Sequence, residues 1–199
     1  VKERGNVFFC GVGGQGILLA SELTSLALLK AGFDVKKSEV HGMAQRGGSV
    51  VAHLRYGERV FSPLIEPGGA DLVVAFELIE SLRYLTFMSR KTRVIVNTQE
   101  IYPPSVATGY EPYPEGILER FRELGVAVFS IDAFQIAASL REVRALNMVL
   151  VGALSNFVPV DEESFFGVIS GKVSEKYLSV NKQAFTEGRR FVEKVLMNA

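Results

Sequence analysis

The sequence predicts an α/β fold: a three-layer α/β/α arrangement around a mixed, mostly parallel Rossmann-like sheet, with a helical C-terminal third. Three observations carry this reading. Short apolar runs alternate with helical patterns up to residue 141, the signature of a sheet covered by helices on both faces. A glycine-rich turn, GVGGQG at 11–16, stands between an apolar run and a helical pattern. From residue 145 onward the pattern is helical. At 199 residues and 48% hydrophobic, a single domain over 1–199 is the expectation for a chain of this size.

The run 6–10 reads as a buried strand and ends in Cys10, the one cysteine of the chain, whose expected role is packing. Helix 16–31 follows. Leu18, Leu19, Leu23, Leu26 and Leu29 lie opposite a row of mostly small residues that includes Ala20, Ser21, Thr24 and Ala27, and only Glu22 and Lys30 are charged. A surface helix shows a polar face, so this one is expected to be sandwiched within the fold or covered by another subunit. Strands are expected at 34–40 and 49–56. The glycine loop between them is short enough to favour antiparallel pairing, which makes the sheet mixed. A further short run, Arg59 to Phe61, comes next.

Strand 71–76, helix 77–88, strand 93–97, helix 114–124, strand 126–130 and helix 132–141 continue the alternation. Pro103, Pro104, Gly109, Pro112 and Pro114 make 102–114 a surface excursion, because proline removes donors and blocks regular elements. Helices 145–157, 161–170 and 179–197 complete the chain. The last carries Lys182, Glu187, Arg189, Arg190, Glu193 and Lys194 on a charged face. The uncharged segment Ala145 to Val160 contains Asn147, Asn156 and Pro159, falls short of the roughly 20 apolar residues a bilayer crossing requires and reads as a buried helix.

Charge balances at 22 Lys+Arg against 22 Asp+Glu, so no general field draws in nucleic acid or an anionic membrane. Any anion site must be local. One cysteine and the separated His41 and His53 cannot supply the ligands of an iron–sulfur cluster or a structural zinc, and no bound metal is expected. The first residues carry no charged-then-apolar signal pattern, so a cytoplasmic location is expected.

Gly11, Gly13 and Gly16, with Gly14 between them, match G-x-G-x-x-G in the strand-to-helix setting of a dinucleotide fingerprint. Glycine lets the chain turn tightly and lets a phosphate group approach N–H groups at a positively polarised helix start. Gln15 belongs to the same turn. The glycines alone are equally compatible with close helix–sheet packing. An NAD site also wants an acid about 20 residues on; Glu39 comes 23 residues after Gly16, behind Lys36 and Lys37. Glu39 and His41 project to one side of an extended segment, where a carboxylate raises the imidazole pKa and suits proton handling, or forms a structural hydrogen bond. Arg46 stands in a loop with Gln45, Gly47 and Gly48. On such permissive backbone its guanidinium suits two-pronged contact with carboxylate or phosphate, and equally a salt bridge between subunits.

The runs GVGGQGILLASELTSLALLKAGFDVKKSEVHGMAQRGGSVVAHLRYG, FSPLIEPGGADLVVAFELIESLRYL, VIVNTQ, NMVLVGALSN and KQAFTEGRRFV resemble the gamma subunit or domain of the 2-oxoacid:ferredoxin oxidoreductases over nearly the whole chain. SEVHGMAQRGGSV is most similar to the beta subunit of the indolepyruvate branch. The resemblance implies an α/β/α fold and membership in a complex that decarboxylates an aryl 2-oxoacid, reduces ferredoxin and forms an acyl-coenzyme A. It further implies that thiamine diphosphate and the iron–sulfur clusters belong to an alpha subunit, with which this chain is the inactive-alone partner. No thiamine-type Gly-Asp-Gly…Asn run is present. Loops 11–16 and 39–48 are then one edge facing that subunit, with Arg46 and His41 near substrate or coenzyme A phosphates. Two other readings stay open at this point: an independent NAD(P)-binding oxidoreductase, and a purely structural assembly subunit.

Overall fold

A computed structural model describes residues 3–41 and 48–198 of the chain. Six strands form one sheet: β1 (Gly5–Val12), β2 (Asp34–His41), β3 (Ser49–Gly57), β4 (Leu72–Ala75), β5 (Arg93–Asn97) and β6 (Ala127–Ile131), in the order β2-β3-β1-β4-β5-β6. β3 runs antiparallel to both neighbours, β1 and β2. The pairs β1–β4, β4–β5 and β5–β6 are parallel. This is the mixed, mostly parallel sheet that the alternation of runs and the short glycine link predict.

The eight α-helices of the described residues are α1 (Ile17–Lys30), α2 (Leu78–Arg83), α3 (Pro104–Ala107), α4 (Ile117–Glu123), α5 (Ala133–Ser139), α6 (Leu146–Leu154), α7 (Glu162–Lys172) and α8 (Glu175–Met197). Strand side chains alternate between faces, and the sheet accordingly divides two cores. Val7, Phe9, Leu72, Val74, Phe76 and Ile95 face α1 and the C-terminal helices. Phe8, Cys10, Val73, Ala75, Val94 and Val96 face α2 and α4. Cys10 is fully buried, as its place in an apolar run predicts. Burial raises its thiol pKa, and the nearby Glu80 and Glu77 carboxylates raise it further.

Helix α1 is sandwiched inside the fold, between the sheet on one side and α6 and α7 on the other. That explains its lack of a polar face. Helix α6 is buried along all nine of its residues and packs against α8. A Cβ on Gly152 would lie 1.8 Å from the Phe185 carbonyl oxygen, and one on Gly188 would lie 1.8 Å from that of Val149. The two helices therefore meet backbone to backbone, with a glycine on each at the point of contact.

Several expected elements are shifted for identifiable reasons. Arg59 to Phe61 forms no strand: the Val60 N–H donates to Asp34 Oδ2 (2.8 Å) rather than to a ladder, and Phe61 is exposed. The expected helix 77–88 ends at Arg83 and gives way to a short 3-10 turn, Leu85–Phe87. There the carbonyls of Thr86 and Phe87 accept from Gly68 (2.8 Å) and Ala70 (3.0 Å), outside the helix. Helix α4 starts at Ile117, after Gly116 in the left-handed region at φ 68°. The excursion 102–114 contains one short helix, α3, with proline in its first turn. Helix 145–157 is α6 flanked by 3-10 turns, α7 runs on to Lys172, and α8 begins four residues before the expected 179.

His53 on β3 is buried. Its Nδ1 accepts the Ile65 N–H at 3.1 Å, and Phe8 and Phe87 stand edge-on to its ring. Burial holds its pKa below the ordinary 6.5.

Two outcomes follow from these contacts. Gly152→Ala or Gly188→Ala is expected to destabilise the chain by at least the ~1–3 kcal/mol of an overpacked core, read as a lower urea midpoint. His53 contributes stability that is complete above its unfolded pKa and is lost as pH falls through the lower folded one. Unfolding free energy is therefore expected to decline between pH 7 and pH 5. His53→Asn, whose Oδ1 stands where Nδ1 accepts from Ile65 but which does not titrate, is expected to flatten that slope.

Candidate functional site

Parallel sheets bind ligands outside the carboxyl ends of their strands, where the chain leaves neighbouring strands in different directions. Here that place lies between β1 and β4. From β1 the chain passes through 13–16 into α1 on one face of the sheet, and from β4 through Phe76 and Glu77 into α2 on the other. Gln15 bridges the crevice. Its Oε1 accepts the Val12 N–H and its Nε2 donates to the Phe76 carbonyl, both at 2.8 Å. The Phe76 carbonyl also accepts from the Asn97 amide, and Asn97 Oδ1 takes the N–H at the start of α5.

The glycines have distinct roles. A Cβ on Gly11 would lie 2.6 Å from that of Phe76, so this position needs glycine for close packing. Gly13 donates its N–H to the Gly48 carbonyl at 2.8 Å, tying the turn to the start of β3. Gly14 is exposed at φ 106°, with nothing near the place a Cβ would take. Gly16, at φ 83°, is the N-cap of α1 and provides no side-chain cap; the first turn of α1 contains no acid. The first N–H groups of a helix have no partner within it and carry the positive end of its dipole. The turn thus presents an uncompensated helix start beneath an open glycine, a geometry that suits a phosphate or carboxylate.

Glu39 lies elsewhere. β3 separates β2 from β1, and Glu39 is level with Ala52 and, beyond it, Phe9. Its Oε1 pairs with Lys37 Nζ at 2.6 Å and accepts from Ser21 of α1 at 3.3 Å. In a dinucleotide site the acid stands on the strand beside the turn, an arrangement these residues do not form. The backbone of His41 closes β2 opposite Val50; the His41 side chain, Gln45, Arg46 and Gly47 lie outside the described residues. Gly48 is described and joins the turn through Gly13.

Sequence reasoning missed the polar groups on the α2 side of the crevice. Glu77 is buried and caps α2: Oε2 accepts the Glu80 N–H at 2.9 Å, while Oε1 accepts the Tyr113 hydroxyl at 2.8 Å and the Ile101 N–H at 3.0 Å. Tyr113 is pushed far up in pKa by burial and then by the Glu77 carboxylate. Glu80, also buried, accepts from Ser49 Oγ and from Arg83 Nε (2.9 Å), and Ser49 Oγ meets the Tyr84 hydroxyl at 2.8 Å. A carboxylate three residues before a backbone N–H is the capping signal that could have shown Glu77. Nothing in the sequence pairs Ser49 with Glu80. Among the described residues, no three His, Cys, Asp or Glu gather as a metal site, and no helix is long and apolar enough to cross a membrane.

The fold and this crevice define a layered α/β protein with an open glycine turn at the carboxyl ends of its parallel strands. The chain belongs to the pyruvate ferredoxin/flavodoxin oxidoreductase family, whose model matches residues 6–191. It is 41% identical to the indolepyruvate oxidoreductase subunit IorB of Archaeoglobus fulgidus, covering 93% of this chain and 94% of that one. To IorB of Thermococcus kodakarensis it is 37% identical, over 96% and 97%. The fold matches the pyruvate oxidoreductase subunit PORC of Thermotoga maritima (TM-score 0.72, 21% identity, 95% of this chain and 97% of that one). It also matches the 2-oxoglutarate:ferredoxin oxidoreductase of Magnetococcus marinus, a structure with 2-oxoglutarate, coenzyme A and succinyl-CoA bound (TM-score 0.77, 22% identity). There it covers 98% of this chain and 32% of the longer one. The chain is therefore a 2-oxoacid:ferredoxin oxidoreductase subunit, similar to IorB.

Gln15→Leu would strand a backbone donor on β1 and remove one of two donors to Phe76. A loss of about 1–3 kcal/mol in unfolding free energy is expected, measurable by urea denaturation, and an unchanged midpoint would show that the bridge adds nothing.

Proposed function

We propose that this chain is the non-cluster-bearing subunit of an indolepyruvate-type oxidoreductase, inactive without an alpha subunit and working in the cytoplasm. The observation that carries this reading is the uncapped, acid-free start of α1 under the open Gly14, in a chain 41% identical to an IorB subunit. The assembled enzyme would decarboxylate an aryl 2-oxoacid, pass two electrons singly to ferredoxin and transfer the acyl group to coenzyme A.

Thiamine diphosphate and the iron–sulfur clusters belong, in this reading, to the alpha subunit, where the thiamine supplies the carbanion chemistry when bound. This chain contributes binding and orientation. The turn of Gly13, Gly14 and Gly16 and the first N–H groups of α1 would hold an anionic end of coenzyme A as substrate. Gln15 keeps that turn in place, and Gly48 ties it to the loop bearing Gln45, Arg46 and Gly47. Arg46 and His41 would extend the same edge toward the alpha subunit, Arg46 offering a two-pronged contact to phosphate or carboxylate.

The test is reconstitution. The chain, a candidate alpha subunit and their mixture would each be assayed with indolepyruvate, phenylpyruvate or pyruvate, plus coenzyme A and a ferredoxin substitute. Turnover of the aryl substrates is expected only when both subunits are present; robust catalysis by this chain alone overturns the proposal. In the mixture, Arg46→Ala is expected to lower turnover about tenfold, the loss of one charge-assisted contact, while the chain still folds and assembles. Unchanged turnover would remove Arg46 from the site.

A further inference from the structure

Strand β2 pairs with β3 on one side, and among the described residues no strand pairs with it on the other. Every second residue of such a strand turns its N–H and C=O away from its one neighbour, a template for another chain. Folded proteins blunt these edges with proline, with brevity or with unmatched charge. β2 has eight residues and no proline, and its charges are of both signs: Asp34, Lys36, Lys37 and Glu39. The opposite edge, β6, has five residues and no charge.

What this edge fits follows from the order of its side chains. Directly opposed residues of an antiparallel pair point to one face. A strand that pairs with its own copy therefore places the two-fold axis beside one residue, and residues equally far from that residue face each other. An axis at Lys36, Lys37 or Glu39 sets like charges together. One at Val35 or Val40 pairs only three residues of the strand. An axis at Ser38 pairs the seven residues 35–41 and sets Lys37 against Glu39 of the copy, twice by symmetry. Lys37 and Glu39 already share a face, where they pair within the chain at 2.6 Å and stay a quarter exposed. In the same register Lys36 faces Val40, which is 56% exposed in the single chain, and a lysine stem covers apolar surface.

We propose that β2 is a self-association edge: two copies of this chain join their sheets antiparallel across β2, in the register centred on Ser38. The Lys37–Glu39 pairs select that register, and the added ladder of backbone hydrogen bonds supplies the holding energy. The inference is independent of the reading of the crevice, which lies between β1 and β4 and is separated from β2 by β3.

The experiment measures the mass of the full chain in solution by analytical ultracentrifugation, for the unaltered chain, Lys37→Glu, Glu39→Lys and an equal mixture of these two variants. The unaltered chain is expected at the mass of two copies. Each variant alone sets like charges together at both places and is expected to raise the dissociation constant about tenfold. In the mixture the acidic strand of one variant meets the basic strand of the other, and tight dimers are expected to return. That recovery also shows that both variants fold. Ser38→Lys leaves the Lys37–Glu39 pair within the chain whole while placing two lysines at the axis, and is expected to weaken the dimer likewise. A monomeric unaltered chain overturns the proposal, as does a dimer that none of the variants weakens. If the chain is monomeric and the same variants weaken its binding to the alpha subunit, the edge belongs to that subunit and the proposal falls. Failure of two folded variants to recombine removes the register centred on Ser38.

Discussion

The geometry of the crevice depends on the backbone contact between α6 and α8. With Gly152 on one helix and Gly188 on the other, each helix reaches the other's carbonyl oxygens, and the axial position of α6 is fixed. The α-helix is a stiff rod rising 1.5 Å per residue. Fixing it near Val149 and Gly152 also fixes its first turn, where Asn147 occupies the space beside Gly16. That space exists only because residue 16 lacks a Cβ. Three glycines distant in sequence therefore act in series: two seat α6 on α8, and the third receives the side chain that α6 delivers.

A buried α1 would be costly if its hydroxyls were unmatched. They are satisfied locally: Thr24 Oγ1 donates to the Ala20 carbonyl at 2.8 Å and Ser21 Oγ to that of Leu18 at 2.9 Å. Small side chains that bond to their own helix let α1 lie between the sheet and two other helices while keeping its N-terminus at the crevice. The row of small residues opposite the leucines is thus what allows the helix start to sit where strands β1 and β4 diverge.

Much of this was legible in the sequence, and the limits of legibility have a physical cause. Continuously apolar runs such as Val7 to Cys10 and Val94 to Val96 bury alternate residues in two separate cores, and the absence of a polar position marks them as strands buried on both faces. The antiparallel β3 followed from the length of its link to β2. Helix ends were less legible where long-range contacts decided them, as at Leu85–Phe87, whose carbonyls are claimed by residues 68–70. The G-x-G-x-x-G turn was visible, but its surroundings were not. That Glu39 is separated from the turn by β3, and that Asn147 and Glu77 border the crevice from either side, are consequences of strand order and helix docking that no local spacing encodes.

The two helices leaving the crevice differ in charge compensation, and this difference gives the site its polarity. Helix α2 carries its own counter-charge: Glu77 caps it and shares its carboxylate among three donors, while Glu80 is held by Ser49 and Arg83. A carboxylate saturated in this way is compatible with burial and leaves the α2 start already neutralised by its own sequence. Helix α1 begins on a glycine, with no acid in its first turn and an amide, not a carboxylate, packed against it. An anion entering the crevice is therefore drawn to the α1 side and disfavoured on the α2 side. The fingerprint motif alone specifies a turn; the placement of Glu77 and Glu80 beside α2, with no acid at the start of α1, makes the two helix starts electrostatically unlike.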